Sequence, residues 1–374
     1  MNLIDIANMR LISQQVAEAR FGAVKDLVGW MGAVQAQDLP MAKWALGVRL
    51  PGSTLEVVEA ALDRGEILRT HLLRPTWHFV TADDIHWMLE LTAPKIKASL
   101  KSRDRDLALT ETVFAQSNSI IEKALGKGKH LLREELVAEL NTANIATGNN
   151  RASHLLFRAE LDGLVCSGAA RGGKPTYALL EDRVPKKRLL TRDEALANLA
   201  RRYFTSRCPA TLQDFGWWSG LTAGAAKQAL EMVKSDFTSA TIGSRDYWVS
   251  NSLPVVETRM NAAYLLPAYD ELIISYRDRG PSLPFSAYNK IVSINGLFRP
   301  VIVVNGQVTG IWKRTVEKDR VLVEPELFEE PEHATWRLVE EAAMQFGRFL
   351  GKEIGIKHRG WPTGERSDYQ QPSL

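Results

Sequence analysis

The stretch Arg151-Ala152-Ser153-His154-Leu155-Leu156-Phe157-Arg158-Ala159-Glu160-Leu161-Asp162 decides the fold, together with the hairpin pattern that follows it. Ala152, Leu155, Leu156 and Ala159 recur at i, i+3, i+4 and i+7, the spacing of one apolar helix face. Arg151, His154 and Arg158 share the opposite side at helical spacing. Two apolar runs come next, Leu164-Val165-Cys166-Ser167 and Thr176-Tyr177-Ala178-Leu179. They flank Ala170-Arg171-Gly172-Gly173-Lys174-Pro175, a glycine-rich hairpin tip with two cations. A helix with a basic outer face followed by a basic wing is the winged-helix order. Upstream, residues 133–140 supply its first helix, with Leu132, Leu136, Val137 and Leu140 on one face.

The same order is read twice more. At the N-terminal end, residues 11–49 carry a helical pattern, with Ala17, Phe21, Val24, Leu27, Val28 and Met31 at helix spacing. Thr54 offers an N-cap for a helix through Val57, Val58, Ala61 and Leu62 that Gly65 closes. Residues 67–72 and 76–80 then read as a strand pair around Arg74-Pro75. Downstream, Leu196, Leu199, Ala200 and Tyr203 mark a helix. Thr211 caps a second, Ser219-Gly220-Leu221 makes a turn, and Thr222 caps a third, which is helix-turn-helix spacing. Residues 237–242 and 247–249 form the wing of this copy.

After Leu253-Pro254 the texture turns to strands, at residues 263–266, 298–304, 308–314 and 320–323. Asn305-Gly306 is a two-residue hairpin signal. A helix over 332–350 places Leu338, Val339, Ala342, Phe346 and Phe349 inward, and a loose tail is expected after Gly360. The expected fold is mainly α with β: three tandem winged helices at 1–125, 126–190 and 191–253, then a small β-barrel-like domain at 254–374.

With 374 residues, 45% hydrophobic and 24% charged, the chain has room for several cores. A net charge of +3 assigns no partner by itself; only local clustering of cations does. Two cysteines, Cys166 and Cys208, make neither a disulfide framework nor a zinc site and are expected as buried thiols. No basic-then-apolar leader and no run near the roughly 18 apolar residues of a membrane span is present. A cytoplasmic, nucleoid-associated protein is expected. No P-loop, dinucleotide fingerprint, HExxH or nucleophile elbow appears, and Gly126-Lys127-Gly128-Lys129 reads as a basic connector. Neither a metal nor a cofactor is expected.

Polar chemistry concentrates in three places. One is Val34-Gln35-Ala36-Gln37-Asp38, where Pro40 ends an apolar segment. In extended backbone Gln35 and Gln37 point one way and Ala36 the other, so two neutral amides are presented together. The second is Arg69, His71, Arg74, Thr76, Trp77 and His78. Arginines, histidines and a tryptophan suit a phosphate-contacting surface, and a half-buried hairpin with satisfied histidines fits equally. The third is Asp270-Glu271, which is open to a catalytic or a capping and turn role.

Gln35-Ala36-Gln37, then Trp44-Ala45-Leu46-Gly47-Val48-Arg49, Arg69-Thr70-His71, Arg74-Pro75-Thr76-Trp77-His78 and Leu266-Pro267-Ala268-Tyr269-Asp270-Glu271, in that order, resemble the AlkZ-like DNA glycosylases. The resemblance runs from about residue 10 to 350. It implies three tandem winged helices and a small β-barrel, excision of alkylated purines, and in some members unhooking of interstrand crosslinks. The family's catalytic signature is glutamine–aliphatic–glutamine, matched by Gln35 and Gln37, with Ala36 smaller than the usual middle residue. Double-stranded DNA carrying alkylated purines is then the expected partner. Arg151, His154, Arg158, Arg171 and Lys174 join the hairpin residues as expected DNA contacts, with salt-sensitive binding. Two alternatives stay open. One is a non-enzymatic winged-helix regulator, commonly a dimer on palindromic sites where the enzyme is expected as a monomer. The other is a hydrolase using Asp270 and Glu271.

Overall fold

The structure, a computed structural model, describes residues 1–185, 190–253, 261–293 and 295–357. The tail after Gly360 and the boundary residue Pro254 lie outside the described residues. The architecture is mixed α+β, with four sheets among the described residues.

The first part comprises α1 (Leu3–Ser13), α2 (Val24–Met31), β1 (Val34–Gln35), α3 (Leu39–Gly47), α4 (Leu55–Asp63), β2 (Ile67–Leu72) and β3 (Thr76–Thr81). Its sheet has the order β1-β3-β2. The next elements are α5 (Ile85–Asp106), α6 (Glu111–Leu125), β4 (Leu131–Leu132), α7 (Arg133–Thr142), α8 (Arg151–Leu161), β5 (Val165–Ser167), β6 (Thr176–Leu179) and α9 (Leu180–Arg183). Their sheet has the order β4-β6-β5. Then come α10 (Arg192–Ser206), α11 (Leu212–Ser219), α12 (Ala223–Val233) and the two-stranded β7 (Phe237–Ile242) and β8 (Arg245–Ser250). Last are β9 (Ala263–Leu266), α13 (Glu271–Ile274), α14 (Tyr288–Ile291), β10 (Val301–Val304), β11 (Gln307–Val316), β12 (Arg320–Leu327), α15 (His333–Leu350) and β13 (Glu353–Ile356). This last sheet, ordered β13-β12-β11-β10-β9, curls into a half-barrel, with β13 parallel to β12 and the other pairs antiparallel.

Helices followed by a short antiparallel sheet therefore occur three times among the described residues. The helical pattern over 11–49 is not one continuous run. The N–H groups of Val16 and Ala17 both turn back to the Leu11 carbonyl, and Gln15 takes φ +62°. An irregular segment thus buries Val16 and packs Ala17 and Phe21 against the core at helix-like spacing. The long helices α5 and α6 and the parallel β13 are among the elements without a counterpart in the sequence patterns.

The hydrophobic cores do not follow chain order. One unites residues 11–79 with residues 265–349. In it Trp44 and Trp312 donate to the carbonyls of Leu265 and Leu266, at 2.7 and 2.8 Å. Phe346 of α15 lies edge-on to both rings, at 5.0 and 5.1 Å. A second core joins Leu68, Leu72 and Met88 to residues of α10, α11 and α12. Three arginine–carboxylate pairs with fully buried or nearly buried side chains cross these junctions: Arg10–Asp214, Arg49–Asp270 and Arg207–Glu271. No helix of the described residues is long and apolar enough to cross a membrane.

Two glycines make close approaches possible. Gly220 takes φ +69° after α11, and a Cβ there would lie 2.6 Å from the Leu73 carbonyl oxygen in the β2–β3 turn. At Gly47 a Cβ would lie 2.5 Å from the Phe349 ring, so α3 reaches α15 only without a side chain. Gly47→Ala is expected to destabilise by about 1–3 kcal/mol through overpacking. A lower urea midpoint at unchanged m-value reads it.

Candidate active site

Gln35 ends β1, the edge strand of the first sheet, and Gln37 lies two residues beyond it, in the bend before α3. β1 pairs antiparallel with β3, placing Gln35 opposite His78 and Val34 opposite Phe79. Ala36 continues the pairing by donating to the Trp77 carbonyl at 2.7 Å, and its side chain is fully buried. Gln35 is 7% exposed, whereas Gln37 is exposed. The Gln35 amide has no hydrogen bond to the described residues, while Oε1 of Gln37 accepts from the Trp77 N–H at a long 3.4 Å. Asp38 next to them accepts the Met41 N–H at 3.2 Å and caps α3, so extended backbone ends there and a helix begins.

A buried polar network holds this strand from behind. The Gln35 N–H donates to Oε1 of Glu271 at 2.8 Å. Oε2 of Glu271 accepts from Arg207 at 2.7 Å and from Trp218 at 3.3 Å, and also from the Ser275 hydroxyl. Arg207 also donates to the carbonyls of Met31 and Ala33, at 2.6 and 2.8 Å. It thereby fixes the α2–β1 connection that precedes the amides. Burial alone would raise the Glu271 pKa. The Arg207 guanidinium and the hydroxyl of Ser275 win and hold it at about 2. Asp270 caps α13 and receives both terminal nitrogens of Arg49, at 2.8 and 2.9 Å. Both carboxylates are 1% exposed. They serve capping and ion-pair roles, and the hydrolase alternative that employed them as reacting groups falls. Arg207, which anchors the site, was missed in the sequence, where a single arginine before Cys208-Pro209 carries no pattern.

The β2–β3 register sorts the second group of residues. His71 pairs with Trp77, and Arg69 with Phe79, so these share one face. Thr70 pairs with His78, and Thr76 follows on the other face together with Gln35. Arg69 donates to the Ala36 carbonyl at 3.0 Å and lies 4.0 Å over the Trp77 ring. Arg74 approaches the ring of Trp217 at 5.3 Å, and Arg279 approaches the same ring from the C-terminal part at 5.6 Å. Trp217 is 42% exposed.

His78 is 1% exposed, and burial pushes its pKa down to about 4. Its Nδ1 lies 2.9 Å from the Thr76 carbonyl, which only a protonated Nδ1 can use, so the neutral ring has Nε2 as acceptor. The unfolded histidine takes up a proton near pH 6.5 that the folded one refuses. Stability is therefore complete above pH 6.5 and falls by about 3 kcal/mol as pH drops toward 4. Glu271 extends the loss below pH 4.5, because its folded pKa is depressed. His78→Asn is expected to remove the upper limb and leave the lower one, measured by urea unfolding from pH 4 to 8.

The basic face read on α8 is charge-compensated. Arg158 is bound to Glu111 and Asp162, and His154 to Asp104. Arg151 donates to the carbonyls of Ala146 and Leu107. In the loop after β5, Arg171 meets Glu135, and Lys174 lies 3.7 Å from Glu134. Apart from Arg158–Asp162, which is an i,i+4 pair, none of these ion pairs is visible in the helical period, because each other acidic partner comes from another element.

A sequence profile of DNA glycosylases described as AlkZ-like matches residues 28–349. The chain belongs to that family. It is accordingly an enzyme of the class that hydrolyses N-glycosyl bonds, and the non-enzymatic regulator gives way. An interstrand DNA cross-link repair glycosylase of Streptomyces sahachiroi is 22% identical over 345 residues, 88% of this chain and 91% of that protein. The solved structure of the Streptomyces sahachiroi DNA glycosylase AlkZ is similar to this fold, with a TM-score of 0.79 at 20% identity. The match covers 96% of this chain and all of that one. The AlkZ-like assignment spans the Gln-Ala-Gln strand and the network behind it.

Proposed function

We propose that this AlkZ-like enzyme is a monofunctional DNA glycosylase for cationic alkylated purines of the N7-alkylguanine type, bulky or crosslinked adducts included. The observation that carries the reading is the pair of neutral amides at the end of an immobilised edge strand, with the adjacent carboxylates already committed. Glu271 is ionised and ion-paired, and Asp38 caps a helix. Cleavage of an N-glycosidic bond develops an oxocarbenium-like sugar, and ordinary leaving groups need a proton donor. An amide donates no proton at any working pH. It orients water through hydrogen bonds and faces positive charge with its carbonyl dipole. Those effects suffice when the leaving base arrives with its own positive charge and departs neutral. Gln37 positions the water and Gln35 supports it or meets the sugar. The 3.4 Å bond from Trp77 is weak enough to release Oε1 of Gln37 for that role.

In this reading the helix-plus-sheet units are three winged helices (1–125, 126–190, 191–253) preceding a barrel-like unit, and the chain acts as a monomer on double-stranded DNA. Arg69, His71, Arg74, Thr76 and Trp77 are the nearer DNA-facing group, whereas the buried His78 supports the strand rather than the duplex. Arg151, His154, Arg158, Arg171 and Lys174 touch phosphate only by exchanging their present partners. The crosslink activity named for the Streptomyces relative extends to this chain as part of the proposal. Release of N7-methylguanine from duplex DNA, followed as abasic sites, tests it. No release at any enzyme concentration would sink the reading.

A further inference from the structure

Arg74 stands in the turn between β2 and β3, Trp217 near the end of α11, and Arg279 in the loop after α13. Close packing brings these three segments together. A Cβ on Gly220 would lie 2.6 Å from the Leu73 carbonyl oxygen and 3.5 Å from Cγ of Arg74, so the end of α11 presses on the β2–β3 turn. Trp217 Nε1 donates to the Ile274 carbonyl at 3.0 Å, and Arg279 Nε donates to the Ile273 carbonyl at 2.8 Å. Ring and guanidinium thus hang from neighbouring carbonyls of α13. The guanidinium carbons of Arg74 and Arg279 come within 5.3 and 5.6 Å of the Trp217 ring centre, and the residue stays 42% exposed.

Both cations lack a counter-charge. Arg74 is half-buried, and its Nε is buried with no hydrogen-bond partner among the described residues. Its side chain spends no donor on those residues, and Arg279, also half-buried, spends only Nε. The carboxylates whose fields reach them are committed elsewhere. Glu271 is held by Arg207, and Asp214 by Arg10 and the N–H groups of Arg277 and Asp278. Burial pulls the pKa of both arginines down, and the Arg279 charge pulls Arg74 down further. An aromatic face attracts a cation without neutralising it. Two partly desolvated like charges on one ring are costly alone, and an anion that meets both offsets that cost.

We propose that Arg74 and Arg279 clamp one phosphate group at the edge of Trp217. The proposal rests on the glycosylase reading and deepens it by fixing where the damaged strand runs. A guanidinium matches phosphate oxygens with paired N–H donors, and one backed by a ring is already oriented. The clamp stands beside Gln35, because the Arg74 charge reaches His78, the cross-strand partner of Gln35, and disfavours its protonation. A phosphodiester held there turns the adjoining sugar toward Gln35. It leaves the opposite face of the sheet, with Arg69, His71 and Trp77, to other contacts. Phosphate contacts fix register without reading sequence, which suits an enzyme that meets its lesion in any sequence. The phosphate has two sources, a phosphodiester of bound DNA or free inorganic phosphate.

The test uses the full chain and a labelled duplex containing N7-methylguanine, with binding read by fluorescence anisotropy across a salt series. Arg74→Gln and Arg279→Gln are each expected to weaken binding about tenfold and to lower the salt slope by about one. Arg320→Gln, whose charge faces Glu317 on the surface, leaves both unchanged. Neutral methylphosphonates, placed one linkage at a time along the damaged strand, then locate the phosphate. One linkage beside the lesion is expected to cost the wild type about tenfold and the double variant Arg74→Gln/Arg279→Gln less than about twofold. If Arg74→Gln fails to fold, the same comparison is made with Arg279→Gln alone. Calorimetric titration with inorganic phosphate supplies the second arm. Phosphate binding that the variants lose, with no sensitive linkage in the duplex, identifies the free anion as the source. A sensitive linkage without any excision by the wild type upholds the clamp and overturns the glycosylase reading alone. Wild-type salt slopes in both variants, no coupled linkage and no phosphate binding overturn the proposal.

Discussion

Gln37→Ala is expected to abolish release of N7-methylguanine from duplex DNA, with a loss of at least ~10²-fold, while the affinity for the same duplex stays unchanged. The size follows from removing one preorganised group aimed at a developing charge. The selectivity follows from position: Gln37 is exposed just beyond the strand, and among the described residues its side chain has only the long hydrogen bond from Trp77. The strand itself is held by Ala36 and by the Gln35 N–H on Glu271, so the backbone stays in place. Neutral bases are expected to be poor substrates for the wild type under all conditions tested. Turnover of Gln37→Ala at the wild-type rate defeats the assignment, and parallel loss of binding would make Gln37 a DNA anchor instead.

Glu271→Gln is expected to cost roughly 3–5 kcal/mol of stability, the penalty of leaving one member of a buried ion pair alone. Arg207 is fully buried, and its remaining acceptors are the carbonyls of Met31 and Ala33 and two serine hydroxyls, none of which carries a charge. Arg207→Met should cost a similar amount from the opposite side. The double variant Arg207→Met/Glu271→Leu is expected to lose clearly less than the sum, because neither charge is then stranded. Urea midpoints of the three variants decide it. Strict additivity would show that the pair is not coupled. The same network sets the connection from α2 into Gln35.

Local elements were legible in the sequence to a useful degree. The cap at Thr211, the turn at Gly220 and the strand pair around Arg74-Pro75 are all present where their spacing put them. Each depends on residues within a few positions of one another. The pattern over 11–49 failed because apolar spacing reports burial, and an irregular segment buries residues as well as a helix does. Glu160 stands four residues after Leu156, beside the apolar stripe of α8, where a carboxylate is costly.

The sequence by itself determined the amide pair, the alternation that presents it, and the absence of known titratable motifs around it. Those follow from backbone geometry over two or three residues. Only the tertiary structure decided which charges remain available. Asp270 and Glu271 are consumed by Arg49 and Arg207, 221 and 64 residues away, and Arg158 by Glu111, 47 residues away. It also decided that the first and last parts of the chain share one core. Charge compensation and core sharing depend on which surfaces meet, and no local period in the chain carries that information.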